Sequence, residues 1–94
     1  MAGRWGLDRR VRLHWRRLED EWVAFDAGSG DTHRFDVVSA ATLMCLEAEA
    51  NDKDGLLGIL VRELDLPAGQ DLSQRLEGLL RQLTGLGLIE PVEP

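Results

Sequence analysis

The chain has one cysteine, Cys45, so no disulfide can close within it. That thiol lies in the apolar stretch Leu43-Met44-Cys45-Leu46, where it is expected to act as an inert core filler. Its only histidines, His14 and His33, are far apart in sequence, and no His or Cys pair has the spacing of zinc ligands. Gly28-Ser29-Gly30 lies between two strand-like segments and lacks the helix start that would make it a phosphate-binding loop. No nucleophile has a base near it in sequence, so the chain is expected to be non-catalytic and to need no metal or cofactor. No apolar run approaches the roughly 18–20 residues of a membrane span. The basic start, Met1 to Gly6, leads into Asp8-Arg9-Arg10 and not into the apolar middle of a secretory signal, so a cytoplasmic location is expected.

What is present suits one globular domain: 94 residues, 44% hydrophobic and 30% charged. Charge is unevenly placed within the net −6. Residues 1–18 hold six arginines and one aspartate, whereas residues 19–94 hold five basic and sixteen acidic side chains. A mostly acidic surface repels phosphates, so neither nucleic acid nor a membrane is expected as a partner.

From Arg10 the sequence alternates. Val11, Leu13 and Trp15 take one face while Arg10, Arg12, His14 and Arg16 take the other, the period of a half-buried strand. Glu21 to Asp26 has the aromatic and β-branched content of a second strand. Ala27-Gly28-Ser29-Gly30-Asp31 predicts a reversal into a third, Thr32 to Phe35. The period then becomes helical. A first helix is expected from about Val37 to Ala50, capped by Asp36 or Ser39, and a second from Leu56 to just before Leu66-Pro67. The third is expected to start at Asp71 as its cap, with Leu72, Leu76, Leu79, Leu80, Leu83 and Leu86 as its apolar stripe and Gly85 and Gly87 ending it. Leu88 to Val92 can add a short edge strand limited by Pro91. The expected class is α+β, a three-stranded antiparallel sheet followed by three helices, with residues 1–9 as a flexible arm and residues 10–92 as the domain.

Several surfaces invite a function. Trp15 and Trp22 are expected to brace adjacent strands as a cross-strand pair, and Trp5 has no readable role. Glu19-Asp20-Glu21 and the pair Glu47 and Glu49 read as solvated surface. The basic face of Arg10, Arg12, His14 and Arg16 reads as a charged edge that resists aggregation, with secondary docking as the other option. The sheet carries the clearest meaning, because three strands leave an edge with free N–H and C=O groups that an extended peptide, or a second copy as a homodimer, can pair with. In the third helix Arg75 and Gln82 flank the apolar stripe, and Gly78 on the same side permits close approach.

Trp22-Val23-Ala24-Phe25-Asp26, Ser29-Gly30-Asp31-Thr32-His33, Phe35-Asp36 before Ala40-Ala41, and Leu86-Gly87-Leu88-Ile89-Glu90-Pro91 together resemble the PqqD-like proteins, in particular the branch associated with HPr-kinase-related systems. The resemblance spans about Arg12 to Val92. It implies a winged-helix-like domain that binds the leader of a ribosomally made precursor peptide as an added strand and presents it to a peptide-modifying or HPr-kinase-related enzyme. Carried over to this chain, it assigns peptide binding to Thr32, His33, Arg34 and Phe35 on the third strand and to Arg75, Leu79 and Gln82 on the third helix. Asp36 stands where the quinone-cofactor branch of the family commonly has Asn. Two other readings compete. One is a winged-helix DNA-binding domain, for which the third helix offers only Arg75 and Arg81 against Asp71 and Glu77. The other is a structural adaptor for a kinase-like enzyme.

Overall fold

The computed structural model describes residues 3–92. Its elements run β1 (Arg4–Leu7), β2 (Leu13–Leu18), β3 (Glu21–Asp26), β4 (Thr32–Phe35), α1 (Val37–Ala48), β5 (Asn51–Asp52), α2 (Lys53–Leu64), α3 (Gln70–Gly85) and β6 (Ile89–Val92). They form a small α+β domain with three helices and two three-stranded antiparallel sheets, ordered β2-β3-β4 and β5-β1-β6.

The β2-β3-β4 meander follows the alternation in the sequence. Its register sets Trp15 opposite Ala24 and Trp22 opposite Phe35, so these four residues share the face turned to the core. Trp15 and Trp22 meet diagonally and nearly perpendicular, with ring centroids 6.2 Å apart, and Trp15 lies 6.1 Å from Phe35. The pair braces the strands as expected of it, since edge-to-face rings add to the burial they share. Arg10 is not part of the basic face. It sits in the turn before β2, where its amide (2.9 Å) and guanidinium (3.2 Å) both donate to the Asp8 carboxylate.

The N-terminal segment corrects the sequence reading. Arg4–Leu7 is no arm but the middle strand of the second sheet, paired with Asn51–Asp52 on one side and Ile89–Val92 on the other; Met1 and Ala2 lie outside the described residues. Gly6 is buried there, and a β-carbon on it would come within 2.9 Å of Val92 Cγ2. Trp5 is half-buried and packs against the core. β6 is the edge strand expected of a segment containing Pro91, whose missing N–H is tolerated at an edge.

Each helix has its own terminators. Asp36, and not Ser39, caps α1 by accepting from the Ser39 amide at 2.8 Å. α2 begins earlier than its apolar pattern suggests, at Lys53, because Asp52 caps it through the Gly55 amide at 2.8 Å. α3 is preceded by Gly69 with no side-chain cap, so Asp71 is not the cap but lies in the first turn, where its charge suits the positive end of the helix. The far end of α3 closes as a Schellman motif: Gly87 N–H donates to Thr84 O and Leu88 N–H to Leu83 O, both at 3.0 Å, with Gly87 at φ 77°. Leu43, Leu46, Leu56, Leu60, Leu76, Leu83, Leu88 and Ile89 fill the interior. Cys45 is half-buried at the rim of this core and not inside it; burial first, and then the nearby Glu63, push its thiol pKa up and keep it protonated.

Candidate functional site

Among the described residues, β4 is an end strand of its sheet, paired only with β3. The turn before it is built around the buried Asp26 carboxylate, which accepts from the Arg12 amide at 3.0 Å, the Gly28 amide at 2.9 Å and the Ser29 hydroxyl at 3.0 Å. A β-carbon at Gly28 would collide with the Arg10 carbonyl, which explains glycine at that point. Asp26 N–H also donates to Asp31 O at 2.8 Å, making this a hydrogen-bonded pair of the ladder. Antiparallel pairs alternate between bonded and non-bonded. His33 and Phe35 therefore direct their main-chain groups to β3, while Thr32 and Arg34 turn theirs toward the open edge.

Side chains alternate in the perpendicular direction. Phe35 is buried beneath the sheet and His33 is half-buried, its ring stacked 6.0 Å from that of Phe35. Thr32 and Arg34 are exposed on the outer face, where Arg34 Nε lies 2.8 Å from Glu21 Oε1 in an ion pair that is not aligned as a hydrogen bond.

α3 meets the β4 side of the domain at both of its ends. Near its start, the Arg75 guanidinium donates to Asp36 Oδ2 at 2.6 Å, directly after β4. Near its finish, Leu86 and Gly87 share a polar pocket of about 270 Å³ with Asp31 and His33. Between these points Gly78 faces open space, since a β-carbon there would meet nothing within 4 Å. Of the expected helix residues, Arg75 and Gln82 are exposed, whereas Leu79 is only 6% exposed and belongs mainly to the core. Leu86, assigned by its spacing to the apolar stripe, is 47% exposed because the helix ends at Gly85 and the chain turns away. It lines the same pocket as Asp31 and His33, a placement that its spacing along the helix did not signal. The Asp36–Arg75 contact joins residues 39 apart and left no mark in the sequence.

Electrostatics hold the turn and the cap in place. The Arg12 amide, working against burial and helped by the Gly28 and Ser29 groups, holds the Asp26 carboxyl below its usual range. Burial opposes ionisation of Asp36, but the Ser39 amide and the Arg75 guanidinium together keep it low. A carboxylate whose folded pKa is depressed stabilises the fold fully above its unfolded value of about 3.9, and this contribution is lost as pH falls through the folded value. Thermal melts from pH 6 to pH 2 should therefore show acid destabilisation that is shallower in Asp26→Asn, whose amide oxygen still accepts from Arg12 and Gly28 but does not titrate. An equally steep acid loss in that variant would remove Asp26 from this role.

Among the described residues, no group of three or more His, Cys, Asp or Glu side chains could hold a metal ion, and no helix is long and apolar enough to cross a membrane. Comparison with protein-family models, with curated proteins and with solved structures found no match to this chain.

Proposed function

We propose that this domain is a non-catalytic peptide chaperone of the PqqD-like, winged-helix-like kind, acting in the cytoplasm. It takes up the leader of a ribosomally made precursor as an antiparallel strand along β4, beside α3, and presents it to a peptide-modifying or HPr-kinase-related enzyme. The observation that carries this reading is the unpaired edge at Thr32 and Arg34, approached by α3 at both ends through the Arg75–Asp36 contact and the pocket that Leu86 shares with His33; the groove assigned to the peptide lies along that side. Main-chain pairing along such an edge supplies affinity, and side chains lining the groove supply selectivity. In this reading His33, Arg75, Gln82 and Leu86, all at least partly exposed, make those contacts, while Phe35 and Leu79 are buried and support them from within the core.

Charge supports a peptide over a duplex. Both arginines of α3 face carboxylates, Arg75 with Asp36 at 2.6 Å and Arg81 with Glu77 at 3.8 Å, so a groove-reading helix would have to break these pairs before it met phosphates. The test is an NMR titration of the labelled chain with synthetic leaders of precursors encoded beside its gene. Amide shifts are expected at Thr32 to Phe35 and along Arg75, Gln82 and Leu86. Leader-induced shifts confined to residues 10–18, with β4 and α3 silent, would overturn the assignment.

A further inference from the structure

We propose that the opposite edge of the same sheet, β2 with the outer face beside it, docks an acidic β-strand of a partner protein. The surface is assembled by register. Arg16 lies across from Val23 and His14 across from Phe25, while Arg12 continues the same row just before β2. Phe25, across from His14, is 43% exposed and Leu18, at the far end of β2, 39%, so exposed apolar surface flanks the arginines. The sequence contains 17 acidic against 11 basic residues, yet among the described residues neither Arg12 nor Arg16 forms an ion pair. A charged edge that served only to prevent aggregation would not need exposed aromatic surface beside it, and exposed apolar groups rimmed by charge mark interaction sites.

The main chain of this edge is also available. Ala27 N–H donates to Arg12 O at 2.8 Å, which makes that pair hydrogen-bonded, and the alternation of the ladder then turns the N–H and C=O groups of Leu13, Trp15 and Arg17 outward. An incoming strand that pairs there places every second side chain over Arg12, His14 and Arg16. Carboxylates at those positions meet the two free guanidinium groups, and apolar residues at the intervening positions lie beside Leu13 and Trp15. A second copy of this chain is disfavoured, because antiparallel self-pairing of β2 sets the row of Arg12, His14 and Arg16 against the same basic row. Self-pairing of β2 centred on His14 would set Arg12 of one copy against Arg16 of the other, and like charges directly opposite are destabilising. A nucleic acid is disfavoured because it would also face the acidic remainder of the domain. The proposal does not depend on the groove at β4, since it uses the other edge of the sheet.

The probe is a capped octapeptide of alternating Glu and Val, titrated into the labelled full chain near neutral pH. A Gln-Val peptide of equal length and oligo(dT) serve as comparisons. The Glu-Val peptide should shift the amides of Leu13 to Leu18 and leave Thr32 to Phe35 still, with affinity that falls as salt is raised. The Arg12→Gln, Arg16→Gln double variant changes two exposed side chains and should melt like the parent, yet bind this probe roughly fivefold to tenfold more weakly. Equal binding of the Glu-Val and Gln-Val peptides, an unchanged affinity in the double variant, or no shift along β2 would overturn the proposal. Tighter binding of oligo(dT) than of the Glu-Val peptide at physiological salt would overturn it in favour of nucleic acid. None of these results bears on the leader titration, which is read at different amides.

Discussion

Arg34→Pro is expected to abolish capture of a leader peptide while leaving the domain folded. The Arg34 N–H points away from β3, so proline there removes no bond within the sheet, and proline is tolerated on an edge for that reason. His33 before it is already extended, as the residue preceding proline must be. What the substitution removes is the donor offered to an incoming strand, and the ring then obstructs the approach of that strand. Loss of the donor and steric exclusion together should cost at least about tenfold in affinity. The Arg34–Glu21 ion pair disappears as well, but it is exposed and contributes little to stability. His33→Pro provides the contrast, because its N–H belongs to the β3 ladder and its loss should destabilise the sheet. Self-association through β4, if present in the parent, should vanish in Arg34→Pro too, as light scattering would show. Calorimetry that finds a folded Arg34→Pro binding the leader as tightly as the parent would show that β4 is not the docking edge.

The second large effect concerns the helix that borders the groove. Leu83 is fully buried, and Leu83→Ala should cost about 3 kcal/mol from lost burial and the cavity left behind. For a domain of this size that lowers the melting temperature by on the order of 15 °C. Leu86→Ala, three residues further on, removes a side chain that is 47% exposed and should change the melt by only about 0.5 kcal/mol or less. This contrast decides how the groove should be probed. Leu79→Ala would mix loss of stability with loss of binding, because Leu79 is part of the core. Gln82→Ala and Leu86→Ala are the informative variants. Differential scanning calorimetry on Leu83→Ala and Leu86→Ala tests the assignment, and near-equal melts would contradict it.

The two kinds of pattern in the sequence were not equally legible. The strands from Leu13 to Phe35 and the three helices show themselves because period-2 and period-3.6 alternation are local, and each half-buried element carries its own record of which side is dry. β1 carries no such record. Arg4-Trp5-Gly6-Leu7 is too short to alternate convincingly, and what makes it a strand is a pair of partners far away in sequence. The candidate site divides in the same way. The turn chemistry around Asp26 and the exposed β4 edge follow from Gly28-Ser29-Gly30 and the strand pattern. The approach of α3 depends on tertiary packing, so neither the Arg75–Asp36 contact nor the exposure of Leu86 could be read from spacing. Gly69 and not Asp71 bounds α3, since the first bond of the helix already runs from Ser73 N–H to Gly69 O at 3.1 Å, with no side-chain cap to mark the start in the sequence.

The placement of β1 also bears on how the molecule is made. Leu7 pairs with Ile89 and Arg4 with Val92, so β1 waits for a partner that leaves the ribosome roughly eighty residues later. The meander and α1 close over short loops and can form while synthesis continues. The second sheet can begin with β5 but is completed only by β6. Until β6 emerges, β1 has only α1 and the short β5 beside it, and the edge that β6 will cover stays open through much of the domain's synthesis. Slowing translation over the codons for α3 and β6 would prolong that exposure, and its cost would fall on yield and not on the stability of the finished domain.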